Sequence, residues 1–96
     1  MVDDLVVGQV VRSRAGRDSG RFMMIVHIED GFVYLADGRV RKANKPKRKK
    51  MKHIAKTNYI VEGANELLKN IDSADAFLRN ALKKYNDSNE SEGEKI

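Results

Sequence analysis

Arg21-Phe22-Met23-Met24-Ile25-Val26-His27-Ile28-Glu29-Asp30-Gly31-Phe32-Val33-Tyr34-Leu35-Ala36-Asp37-Gly38 is the stretch whose pattern decides the fold. Residues 21–28 alternate as a strand with Phe22, Met24, Val26 and Ile28 on one face and Met23 and Ile25 on the other. A strand that is apolar on both faces belongs at the centre of a sheet. Asp30-Gly31 and Asp37-Gly38 then bracket the apolar run Phe32 to Ala36. Asp-Gly between such runs signals a tight hairpin, because a type I′ turn needs positive φ at both central residues. The stretch therefore predicts a meander in which strands 21–28 and 32–36 are followed by a third at Arg39-Val40-Arg41.

Working outward, Val10 to Ser13 predicts a strand with Val11 and Ser13 on one face and Arg12 and Arg14 on the solvent face. The segment Ala15-Gly16-Arg17-Asp18-Ser19-Gly20 supplies a tight basic loop, since its glycines tolerate positive φ and Asp and Ser bond neighbouring amides. Lys52 to Thr57 supplies a fifth short strand. Five strands in so short a length predict a mainly β fold, a small closed or nearly closed barrel that covers its own edges.

The period changes after Thr57. Leu67, Leu68 and Ile71, then Ala74, Leu78, Ala81 and Tyr85 with Phe77 and Leu82 beside them, recur at helical spacing. Two helices are predicted, packing on the barrel or on a partner through Leu67, Leu68, Ile71, Leu78 and Leu82. Asp72 or Ser73 is the candidate N-cap of the second, with Asp75 in its first turn and Lys83 and Lys84 in its last. The polar stretch Asn86 to Ile96 predicts disorder. The chain thus divides into a barrel over 1–58, a helical extension over 59–85 and a disordered tail over 86–96.

The chain of 96 residues contains no cysteine, so neither a disulfide framework nor a thiolate metal site supplements the core. That composition suits a reducing cytoplasm. Gly8, Gln9 and Arg12 interrupt the apolar start of the chain, which predicts a soluble, unprocessed protein without a membrane span. The net charge of +5 is unevenly spread: residues 1–58 hold 14 Lys or Arg against 6 Asp or Glu, and residues 59–96 hold 5 against 8. A one-sided positive field attracts phosphate backbones or anionic surfaces.

The charge concentrates between Arg39 and Lys56, where Arg39, Arg41, Lys42, Lys45, Lys47, Arg48, Lys49, Lys50, Lys52 and Lys56 occur with no acidic residue. Packing so many like charges costs self-repulsion that phosphates relieve, with Arg able to grip them bidentately and Lys acting as a point charge. The alternatives are a solvated lysine loop or an import signal at Lys45-Pro46-Lys47-Arg48-Lys49-Lys50. Arg12, Arg14, Arg17 and Arg21 flank the Gly16 loop, whose backbone can approach a phosphate closely and whose arginines can clamp it. Loop and lysine run are expected to form one surface.

Phe22, Phe32, Tyr34, Tyr59, Phe77 and Tyr85 are few, and their positions point to packing rather than a stacking platform, which leaves base readout a minor role. An enzyme is hard to build here. His27 and His53 are the only histidines, no pair of acids has acid–base spacing, and no Walker loop, dinucleotide glycine pattern or metal cluster occurs. His27 is read as a strand residue, and His53, beside the lysines, as an RNA contact. No cofactor, metal or small-molecule substrate is expected.

The segment Val7-Gly8-Gln9-Val10-Val11-Arg12-Ser13-Arg14-Ala15-Gly16-Arg17-Asp18-Ser19-Gly20-Arg21, with Glu29-Asp30-Gly31-Phe32-Val33 after it, resembles a KOW motif. The chain is similar to large-subunit ribosomal proteins of the fourteen-e kind and to their small bacterial relatives. The likeness continues through Asp37-Gly38-Arg39-Val40-Arg41-Lys42 and Lys52-His53-Ile54, then Thr57 where that family leaves the barrel, and more weakly to Gly63-Ala64. The insertion Asn44 to Lys50 departs from the archaeal and eukaryotic members in length and lysine content, and suits the bacterial relatives better.

The resemblance implies an SH3-like barrel and non-catalytic binding of ribosomal RNA in translation or ribosome assembly, with ribosomal proteins as possible partners of the C-terminal helices. Carried over by position, Gly16 shapes the first loop and the RNA-binding residues are Arg12, Arg14, Arg17, Arg21, Arg39, Arg41 and the lysine run; with the residues read from charge and position, the candidate site is Arg12, Arg14, Gly16, Arg17, Arg21, Arg39, Arg41, Lys42, Lys45, Lys47, Arg48, Lys49, Lys50, Lys52 and His53. The competing expectation is a KOW module of the transcription-elongation type, whose barrel docks protein.

Overall fold

The computed structural model describes residues 5–14, 16 and 19–95, with the backbone alone for 87–95. Five strands, β1 (Gln9–Ser13), β2 (Phe22–Glu29), β3 (Phe32–Ala36), β4 (Lys47–Lys50) and β5 (Ile54–Ile60), are followed by helices α1 (Ala64–Lys69) and α2 (Ile71–Lys95). The strands form one antiparallel sheet in the order β4-β3-β2-β1-β5. A single 3₁₀ turn, Met51–His53, leads from β4 into β5. This is the expected mainly β, small SH3-like barrel-type fold with a C-terminal helical segment.

β2 is the central strand, and both of its faces are buried over Met23–Ile25. Met23 and Ile25 pack with Val11, Val33, Leu35 and Ile54 inside the curled sheet. On the outer face, Met24 packs with Val10, Ala36, Ala64, Leu78 and Leu82 beneath the helices. A register irregularity between Ile25 and His27 turns the strand over, so Ile28 joins the inner cluster and not the outer face of Phe22, Met24 and Val26. Leu78 and Leu82 are almost completely buried, each contributing about 2 kcal/mol by removal from water.

The two Asp-Gly pairs part company. Asp30 and Gly31 both have positive φ, 53° and 82°, and close the β2–β3 hairpin as expected. At the second pair only Gly38 is left-handed, and no strand follows at Arg39–Arg41. Val40 is 63% exposed, so that segment has no apolar face to bury. Residues 37–46 are instead a looped segment, and β3 takes as its partner the lysine run itself, pairing Val33 with Lys49 and Leu35 with Lys47. The run expected as a basic loop is therefore an edge strand.

Lys52 and His53 lie in the 3₁₀ turn rather than in a strand beginning at Lys52, and β5 extends to Ile60, beyond the expected barrel end at residue 58. The helices pack through Ala64, Leu78 and Leu82 with Leu68, Phe77, Ala81 and Tyr85 around them, and Ala74 is also buried. Leu67 and Ile71, expected in that stripe, are about half exposed. Asn70, not Asp72 or Ser73, starts α2, its Oδ1 accepting from the Asp72 amide at 3.1 Å.

α2 continues to Lys95 where disorder was expected from Asn86. Asn86 is itself an anchor: its Oδ1 accepts from the Phe22 amide at 3.1 Å and its Nδ2 donates to the Phe22 carbonyl at 3.2 Å. A helix pinned there propagates cheaply, because each added residue gains a backbone bond without a new nucleus. Among the described residues no helix is long and apolar enough to cross a membrane.

Candidate nucleic-acid interface

The interface begins with the loop between β3 and β4, which is held from beneath. Asp37 is 2% exposed, and its Oδ1 accepts the amides of Arg39 and Arg41, both at 2.9 Å, while its Oδ2 takes the Arg21 guanidinium at 2.9 Å. Burial opposes ionisation of this carboxyl, but the two amides and Arg21 outweigh it and hold the group below the ordinary carboxylate value. Further along, the Ala43 amide donates to Asp75 Oδ1 at 2.7 Å and Arg79 Nη1 donates to the Gly38 carbonyl at 2.8 Å. Two residues of α2 thus fix both ends of the loop.

That anchoring aims Arg41, Lys42 and Lys45 into a groove of about 470 Å³ that continues to Lys47 and Arg48. The same two residues of β4 line a second groove, of about 480 Å³, with Gly16, Lys50, Lys52 and His53. One basic surface therefore runs from the loop, along β4, to Gly16. Lys49 faces the barrel interior beside Val33 and is only 9% exposed. A side-chain carbon on Gly16 would lie 3.4 Å from its Nζ, so Gly16 rests against β4. The Arg14 amide donates to the His53 carbonyl at 2.8 Å and brings exposed Arg14 to the same end.

The structure thus brings together Arg14, Gly16, Arg41, Lys42, Lys45, Lys47, Arg48, Lys49, Lys50, Lys52 and His53. Three expected residues are elsewhere. Arg21 is bound to buried Asp37 and serves as a clamp of the fold. Arg12 points to the helix-covered face, its guanidinium carbon 5.9 Å from the centre of the Phe22 ring. Arg39 lines a separate small hollow with Arg79 and Lys83 on α2. Arg17 lies outside the described residues.

Two aromatic residues join the surface where packing was expected. β3 alternates, so Val33 and Leu35 fill the core while Phe32 and Tyr34 stand on the outer face, half-buried. Arg48 lies over the Phe32 ring at 4.5 Å from its centre, within cation–π range. His27 of β2 stands beside Tyr34 with ring centres 5.1 Å apart. The period-2 alternation of residues 32–35 was visible in the sequence. The neighbouring strand was not, because Asp37-Gly38 looked like a turn into Arg39–Arg41.

No protein-family model and no curated protein matches the chain.

Proposed function

We propose that the protein is a non-catalytic RNA-binding protein whose main contact is electrostatic, along β4 and the loops at either end of it. The observation that carries this reading is the continuity of the basic surface: two grooves that share Lys47 and Arg48, lined by a segment with no acidic residue together with Gly16 and Phe32. Charged edge strands also discourage pairing with other sheets, and a lysine or two on β4 would serve that purpose. Edge protection does not require the cations of the preceding loop, nor Lys52 beyond the strand. A phosphate backbone spans such a track, neutralising successive side chains and releasing counterions.

The proposal of ribosomal RNA as the target, in translation or ribosome assembly, rests on the KOW-like segment from Val7 to Arg21, on Lys52-His53-Ile54 and on the match of charge to a folded RNA. Lys47→Ala, Arg48→Ala and Lys50→Ala combined, with buried Lys49 left in place, should weaken binding to all RNAs. The slope of log affinity against log salt should fall by about 0.7–0.9 for each phosphate that is no longer neutralised. Filter-binding titrations over a salt series measure it, and an unchanged slope would move the interface off β4. Sedimentation with ribosomal particles at low salt tests the ribosomal half of the reading, and a protein found only at the top of the gradient would end it.

A further inference from the structure

The outer face of the sheet is covered by α2 only in part. Val10, Met24 and Ala36 lie under the helix, whereas Tyr34 and Phe32, two and four residues before Ala36 on the same face of β3, lie beyond them. This uncovered portion has a defined composition. His27 lies opposite Tyr34 on β2, and Arg48 and Lys50 lie opposite Tyr34 and Phe32 on β4. Cross-strand neighbours share a face, so two rings stand in a row between a strand of cations and an imidazole.

We propose that this face stacks unpaired bases of single-stranded RNA, with Phe32 and Tyr34 as the platforms and the phosphates following β4. The proposal rests on the RNA-binding reading and adds to it the form of RNA that is preferred. Rings on adjacent outward positions of a strand offer successive π-faces at a spacing that consecutive unstacked bases can meet. Arg48 extends the Phe32 platform, because its guanidinium lies over that ring and itself offers a flat face on which a base can stack while its N–H edge is left for phosphate. A duplex keeps its bases stacked inside and offers no face to these rings.

Glu29 sets the polarity of the site. It lies opposite Phe32 on β2, and its carboxylate meets His27 Nε2 at 3.2 Å. With Asp30 at the adjoining turn, it makes the β2–β3 tip unfavourable to phosphate. The backbone is therefore directed along β4, and the bases reach across β3 toward His27.

The test compares three ligands of equal length: a single-stranded oligoribonucleotide, an abasic ribose-phosphate oligomer and an RNA duplex. Wild type should bind the single strand roughly tenfold or more tightly than the abasic oligomer, as stacking on one or two rings supplies. Tyr34→Leu and Phe32→Leu should each weaken binding of the single strand several times more than binding of the abasic oligomer. Tyr34→Phe should retain the preference for the single strand, since the ring remains. Ring-proton shifts of Tyr34 should move with the single strand and not with the abasic oligomer, which reads the contact without any substitution. Equal binding of the single strand and the abasic oligomer, or preference for the duplex, would overturn the stacking proposal and leave RNA binding standing. Failure of wild type to bind any of the three at low salt would overturn both.

Discussion

Replacing Asp37 by alanine should be the most damaging single change to the loop that presents the basic surface. The carboxylate is almost wholly buried and accepts three hydrogen bonds at 2.9 Å, two from amides and one from a guanidinium. Each neutral bond is worth about 1 kcal/mol net and the charge-assisted one about 1.5–3. Removing one partner of a buried pair costs about 3–5 kcal/mol, and Arg21, 29% exposed, can recover some hydration, which favours the low end. A loss of about 3 kcal/mol in a domain of this size lowers Tm by roughly 12–24 °C. Asp37→Asn keeps an acceptor for the amides and loses the charge, for a smaller drop.

The pH dependence has a definite sign. The folded carboxyl is held below its unfolded value, so the unfolded chain binds the proton more readily. The stability it confers is present above the ordinary carboxylate range and is lost as pH falls through the folded value. The difference in Tm between wild type and Asp37→Asn should accordingly be largest near neutrality and shrink toward about pH 3. Thermal unfolding by circular dichroism over that range measures it. A Tm for Asp37→Ala within about 2 °C of wild type, or a difference that persists undiminished in acid, would refute the proposed role of this carboxylate.

Two further perturbations probe the scaffold. Ending the chain after Asn86 should leave Tm nearly unchanged, whereas ending it after Tyr85 removes both bonds to Phe22 and should cost about 1–2 kcal/mol; thermal melts of the two truncations give the comparison. Gly38→Ala should destabilise by more than about 2 kcal/mol in urea titrations, because φ is 80° there and the new carbon would collide with the Asp75 carbonyl and crowd Arg79 Cγ.

The sequence makes the centre of the sheet legible and its edge obscure, for a physical reason. Residues 22–25 are apolar on both faces, a property that only a central, doubly covered strand satisfies, and it is readable without knowing any partner. The fourth strand has no such signature. Lys47 to Lys50 contains no apolar residue, and it is a strand because β3 offers a free edge beside the barrel opening, where its ammonium groups reach solvent or Gly16. The two Asp-Gly pairs are identical as dipeptides. What separates them is that Asp37 finds Arg21, sixteen residues back in the chain, a tertiary contact no local pattern contains. The same contact explains why Arg21 looked like one more member of the basic loop.

Ordering the basic segment raises a problem of its own, since acids that neutralised its side chains would also spoil it as the proposed phosphate site. Two carboxylates among the described residues near the segment, Asp37 and Asp75, are directed to backbone. Asp37 holds the amides of Arg39 and Arg41, and Asp75 holds the amide of Ala43. These bonds fix the path of the loop without drawing on the ammonium groups of Lys42, Lys45 and Lys47. Arg21, the guanidinium that pairs with Asp37 at 2.9 Å, comes from outside the run. Helix α2, although it belongs to the acidic end of the chain, is therefore part of the proposed interface in a mechanical sense. Its Asp75 and Arg79 grip the loop at Ala43 and Gly38, and its Leu78 and Leu82 hold the sheet beneath. A barrel without the helix would keep the charge of the segment and lose the shape that makes it a track.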